Sequence, residues 1–156
     1  MKVADLRITE AEISGWTEDK FETFTEIGAL AQNSGFNGKA YFYEERGLNF
    51  VESAYQELSG EGDAAVACCV MDFSTAQVAE EAFTERTQED AQDQLPQSSI
   101  GGYSESTALF YRSEYWAYAH FDRFLIWIEV QGSMDQDAAK TTAASFLEAY
   151  EAMIGS

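Results

Sequence analysis

The sequence is poor in proline, histidine and cysteine, and poor in positive charge beside its negative charge. A single proline, Pro96, excludes long proline-rich linkers. No stretch reaches the roughly 18 apolar residues of a membrane-crossing helix, so no transmembrane segment is expected. One histidine, His120, and two adjacent cysteines, Cys68 and Cys69, provide neither a CxxC pair nor a second imidazole, which argues against a structural zinc site. Neighbouring residues of a strand point to opposite faces, so the two thiols diverge and read as small buried hydrophobes rather than a redox pair. Only 9 lysines and arginines stand against 28 aspartates and glutamates, a formal net charge of −19. Nucleic acids and anionic lipid surfaces are held by basic residues that displace counterions, so neither is expected as a partner. The acidity itself has two readings. Solubility, as in salty surroundings, is the simpler; attraction of a cationic partner or of calcium is the other. Met1 to Asp5 lack the apolar run of a signal peptide, which fits a cytoplasmic protein or an exported one whose leader has been cut away.

What is present is core material. Of 156 residues, 46% are hydrophobic and 14% aromatic, enough for one folded domain despite the charge. Phe21, Phe24, Ile27, Gly28 and Ala31 recur at helical spacing and predict a helix over 17–33, stopped by Ser34-Gly35. The aromatic run 39–45 and the segment 48–58 predict extended chain, with a turn at Ser59 to Asp63. Residues 64–73 are apolar on both faces, the mark of a strand that lies centrally in the sheet. Ser74 with Gln77 has capping-box spacing and opens a helix that fades near Gln94, ahead of Pro96; Ala79, Ala82 and Phe83 give its apolar stripe. A loop from Pro96 to Tyr103, containing Gly101-Gly102, leads to three short strands, 107–112, 115–121 and 124–131. These turn at Ser113-Glu114 and Asp122-Arg123. Ser133 with Gln136 repeats the capping-box spacing and opens a final helix to about Met153. The expected class is α+β, an antiparallel sheet with helices packed on one face, and the order allows a duplicated strand-strand-strand-helix unit.

Chemistry-bearing motifs are scarce. The G-x-S-x-G elbow, the P-loop and dinucleotide spacings and the EF-hand loop are all missing, so no cofactor and no defined metal site are expected. Asp135 and Asp137 suit a helix N-terminus, and Glu89, Asp90 and Asp93 a solvated helix end. His120 shares a strand face with Trp116 and Tyr118, but no nucleophile is identifiable beside it. Paired carboxylates of a hydrolase need only meet in space, and any pair chosen from so many acids would be arbitrary. Aromatic density in the second strand group is the one remaining signal. An aromatic sheet face left open would suit a small molecule, a peptide or a partner protein, and Tyr111, Trp116, Tyr118 and His120 are its candidate ligand-binding residues.

Ile13-Ser14-Gly15-Trp16, Phe24 through Gly28-Ala29 to Gly35-Phe36, Val70-Met71-Asp72-Phe73-Ser74-Thr75 with Ala79 and Phe83, Ile100-Gly101, and Phe110-Tyr111-Arg112 to Tyr115 carry a family resemblance. In these positions the chain resembles a group of uncharacterised exported bacterial proteins, often lipoproteins, of the DUF6599-like type. The group's usual Asn-Gly-Gly-Ala stretch reads Glu26-Ile27-Gly28-Ala29 here, so a role tied to that asparagine has no counterpart. The resemblance implies export and an α+β domain, and brings no activity with it. The leading expectation is thus an extracytoplasmic, non-enzymatic domain that binds a small molecule or protein through its aromatic sheet face. A small hydrolase using carboxylates with or without His120, and a structural domain of a larger assembly, are the alternatives.

Overall fold

The computed structural model describes residues 1–37, 39–92, 97–100, 103–111 and 114–155, and the side chains within 1–37, 39–88 and 115–155. Seven strands form one antiparallel sheet: β1 (Thr17–Phe24), β2 (Glu52–Ser59), β3 (Ala65–Asp72), β4 (Gln97–Ile100), β5 (Tyr103–Tyr111), β6 (Glu114–Phe121) and β7 (Phe124–Gln131). Their spatial order is β1-β2-β3-β7-β6-β5-β4. Helices α1 (Ile27–Asn33) and α2 (Lys39–Glu45) join β1 to β2, α3 (Ala76–Gln92) follows β3, and α4 (Gln136–Gly155) follows β7. The α+β class and the antiparallel sheet are as the sequence predicts. The two triplets are not equivalent, because β1 and β2 are separated by a helical excursion whereas β5, β6 and β7 run on directly.

The seam between the halves is β3 against β7, in unbroken register from Ala65↔Gln131 to Asp72↔Phe124. Both strands are apolar on both faces because both faces are covered. Val66, Cys68 and Val70 of β3 and Phe124, Ile126, Ile128 and Val130 of β7 pack with Ala139, Ala143, Phe146, Leu147 and Tyr150 of α4 and with Val3, Leu6 and Ile8. On the opposite face, Cys69 and Met71 with Leu125 and Trp127 meet Leu30, Phe36, Ala40, Tyr43, Ala79 and Ala82 of the α1–α2 segment and α3. The helices therefore cover two faces, not one. The physical reason lies in the strands, whose alternate side chains are both apolar and need two separate layers to bury them. Each fully buried Leu, Ile or Phe in these layers contributes about 1.5–3 kcal/mol.

Both ends of the seam are fastened. At one end the Arg123 Nε donates to the two Asp72 carboxylate oxygens at 3.1 and 3.0 Å, and the Ser74 N–H donates to the same carboxylate at 2.8 Å. At the other, Asp63 accepts the Ser133 N–H at 3.0 Å, and Gly132, with φ of 136°, packs against Ala64 where a side chain would crowd the backbone. Gln56 ties the N-terminal segment down, its amide exchanging hydrogen bonds with the Ile8 N–H (3.0 Å) and carbonyl (2.8 Å).

Several local expectations are corrected. Residues 17–24 are a strand rather than the first half of a helix, and 39–45 are helical rather than extended. In α2 the buried Ala40 and Tyr43 lie one turn apart, so the aromatic run folds to bury one stripe while Tyr41 stays exposed. The span after Pro96 contains β4, paired outermost with β5. The helix caps shift by a residue or two: Thr75 Oγ1 accepts the Val78 N–H (3.2 Å) and Asp135 accepts the Ala138 N–H (2.8 Å). Ser74 instead takes a turn conformation with φ of 72°, and Ser133 binds Asp63. The helix end expected at Gln94, Gly101-Gly102 and Ser113 lie outside the described residues.

Candidate functional site

Cross-strand registry puts Glu57, Ala67, Glu129 and Trp116 in one row across β2, β3, β7 and β6. The next row inward holds Tyr55, Cys69, Trp127 and Tyr118, and this row is roofed by the α1–α2 segment and α3. The Glu57 row lies beyond the roof. Its floor is made of Ala65 and Ala67, side chains too small to fill the space, and a cleft of about 430 Å³ opens there. Asp19, Asn37, Lys39, Tyr55, Glu57 and Glu129 stand around it.

The rim is built by the turn between α1 and α2. Ser34 donates its hydroxyl to the Leu30 carbonyl (2.6 Å) and accepts the Phe36 N–H (3.2 Å), which ends α1 and turns the chain. Phe36 is fully buried, edge-on to Trp127 at 5.2 Å between ring centres, and anchors the turn on the sheet. Asn37 adopts a left-handed φ of 51°, and α2 starts two residues later at Lys39. The Lys39 ammonium is thereby placed 5.0 Å from the Trp116 ring centre and 5.3 Å from that of Trp127. Such distances are within cation–π range.

Gly35 lets the turn approach this closely. A Cβ there would collide with the Tyr55 hydroxyl and sit 3.3 Å from its Cζ. The Tyr55 hydroxyl donates to Glu57 at 2.7 Å and is met by the Gly35 backbone N–H. Burial first, then the bond to Glu57 and the charges of Glu57 and Glu129, push the Tyr55 hydroxyl far above its usual range. Tyr55 is thus a fixed neutral donor rather than a base. Glu129 is only 8% exposed and accepts from the Gln131 amide; Asp19 accepts from the Ser59 hydroxyl. Among the described residues, three carboxylates and one ammonium face this cleft. No group of three or more His, Cys, Asp or Glu among the described residues is placed to hold a metal ion.

The residues singled out from the sequence are spread along the face. Trp116 is half-buried beneath Lys39, the residue that itself lines the cleft. Tyr118 is fully buried under α3, its hydroxyl accepting from Arg86 Nε at 3.2 Å. His120, 8% exposed, packs on Phe83 with ring centres 4.9 Å apart, beside a second hollow that includes Glu80, Asp122 and Glu151. Among the described residues, those around that hollow include no serine, threonine or cysteine. Tyr111 ends β5, and its side chain is outside the described residues. The carboxylates of Glu57 and Glu129, with Tyr55, Lys39 and Gly35, were not singled out from sequence.

No family model matches the chain, and no curated protein matches it, so the resemblance seen in its motifs is not carried to family membership. Two solved structures can be compared. An uncharacterized protein from Mycobacterium smegmatis, the Rv0999 ortholog, superposes with a TM-score of 0.37 at 12% identity over 87% of this chain and 88% of the other, too loosely to argue from. The extracellular domain of PknH from Mycobacterium tuberculosis superposes with a TM-score of 0.63 over 96% of this chain and 95% of that one, and at 13% identity the chain shares its fold.

Proposed function

We propose that this chain is an extracytoplasmic, non-enzymatic binding domain whose ligand enters the cleft over Ala65 and Ala67. The cleft carries the reading. At about 430 Å³ it has the size of small-molecule sites, and its polar groups converge from β1, β2, β7 and the α1–α2 turn. These groups are rigidly presented, since Tyr55 is locked by Gly35 and Glu57 and the turn by Phe36. The fold shared with an extracellular domain supports the compartment. Amide chemical shifts recorded against a small-molecule fragment library test the site. Hits that shift Gly35, Tyr55, Glu57 and Glu129 are expected; hits confined to other surfaces would refute it. Protease treatment of intact cells tests the compartment, and digestion only after lysis would place the domain inside.

A further inference from the structure

Resting on the cleft as a binding site, we infer that it selects a small organic ammonium ion, and that the Lys39 ammonium holds the seat such a ligand takes. The seat is defined by Lys39 itself. Its Nζ is within cation–π distance of two indoles at once, 5.0 Å from Trp116 and 5.3 Å from Trp127, so the protein already stations a cation at this spot. Trp116 is directly opposite Glu129 in the β6–β7 register, so a largely buried acidic residue is the cross-strand neighbour of an indole. Glu57 stands in the same row, its Oε2 engaged by Tyr55. Aromatic faces flanked by carboxylates are the chemistry that recognises alkylated and quaternary ammonium groups, because the ring face and the anion both favour positive charge. The net charge of −19 adds a long-range field that concentrates small cations at the surface and repels anions.

Lys39 is tethered through its own backbone to α2, whose Ala40 and Tyr43 are buried, so its side chain can swing out while the turn stays in place. A ligand ammonium would then replace one cation by another over the same rings. Removing the competing lysine should therefore tighten binding. The gain is expected to be about tenfold, equivalent to ~1.4 kcal/mol and within the span of measured cation–π energies.

Calorimetric titration of the whole chain with choline chloride, with the neutral carbon analogue of choline and with sodium acetate tests this. Choline is expected to bind saturably and the other two not. Lys39→Met should tighten choline about tenfold, whereas Lys140→Met, the same change of charge on α4, should leave it within about twofold. Trp116→Leu and Glu129→Gln should each weaken it. The inference is overturned if choline binds no better than its neutral analogue, or if Lys39→Met and Lys140→Met act alike, which would mean surface charge alone. Acetate or the neutral analogue shifting the Gly35 and Tyr55 amides while choline does not would also overturn it, yet leave the cleft standing as a binding site. Phosphatidylcholine vesicles present the same ammonium on a surface; co-sedimentation with them would support the ammonium and assign its source to a lipid headgroup.

Discussion

Substituting Gly35 by alanine isolates the contact on which the cleft depends. The backbone at Gly35 lies outside the left-handed region, so alanine brings no conformational penalty and the whole cost arises from the added methyl. That methyl would overlap the Tyr55 hydroxyl. The Tyr55 ring is 1% exposed, and its hydroxyl is held by the Gly35 N–H and by Glu57, so it cannot yield without losing both bonds. Overpacking a tight site costs about 1–3 kcal/mol, and a hydrogen bond to a charged acceptor about 1.5–3 kcal/mol. Taking the lower half of each range, because Glu57 is only half-buried, Gly35→Ala is expected to cost about 3 kcal/mol. For a chain of this length that lowers Tm by roughly 6–12 °C. Tyr55→Phe removes the obstructing oxygen and should cost about 2 kcal/mol alone. In the double variant the methyl meets only the ring carbon at 3.3 Å, so its cost should stay near that of Tyr55→Phe instead of reaching the additive sum of about 5 kcal/mol. Urea unfolding followed by tryptophan fluorescence measures all four corners of the cycle. Additive losses would show that Gly35 and Tyr55 do not press on one another, and the account of the rim would fall.

Two further outcomes are expected. Asp72→Ala strips Arg123 and the Ser74 N–H of a shared, largely buried acceptor, and should cost about 2–4 kcal/mol in urea unfolding; a loss below about 0.5 kcal/mol would show the seam's end is not fastened there. Glu18 is held below its ordinary 4.5, chiefly by the Arg7 hydrogen bond and against a smaller upward push from partial burial. The unfolded chain therefore binds that proton more tightly, so the stabilisation is complete above about pH 4.5 and is lost as pH falls through the lowered native value. The Tm gap between the wild type and Glu18→Gln should accordingly be constant from neutral pH to about pH 5 and close below that. A gap that persists unchanged in acid would contradict the assignment.

How much of this was readable beforehand depended on whether burial left a periodic mark. β3 and the β5–β7 run were legible because their residues are apolar or aromatic in short blocks divided by turns, and α4 because Ala139, Ala143, Phe146 and Tyr150 recur every three to four residues. β1 was misread for the opposite reason. As an outer strand it pairs only with β2 and carries a register shift between Glu18 and Lys20, so its alternation is broken and its phenylalanines fall at helical spacing by accident. In α2, the aromatic run Tyr41-Phe42-Tyr43 favours a strand by local preference, but packing against Phe73 and Ala40's burial decide for a helix. The two-sided covering of the sheet was implicit in β3 and β7, which carry apolar residues on both faces. The cleft was not legible, because it arises where Glu57, Glu129 and the Gly35–Lys39 turn, three separate stretches of the chain, meet over two alanines. Each of them alone is an unremarked residue on a very acidic surface.

The central seam has a consequence for the order of events in folding. β3 is complete at residue 72 and β7 begins at residue 124, so the sheet's innermost ladder closes only after most of the chain has been searched through. Contacts of such long sequence separation slow folding, since loop closure precedes any gain from pairing. Until then the strand that carries Cys68 and Cys69 is paired with β2 alone, and both thiols are within reach of solvent reagents. Once the ladder forms they are sealed on opposite faces, one under α4 with the Tyr150 hydroxyl on its sulfur and burial pushing its pKa up to about 12, the other under the α1–α2 segment. The two thiols are thus a built-in clock: the moment at which they stop reacting with an alkylating agent marks the moment at which two half-sheets become one.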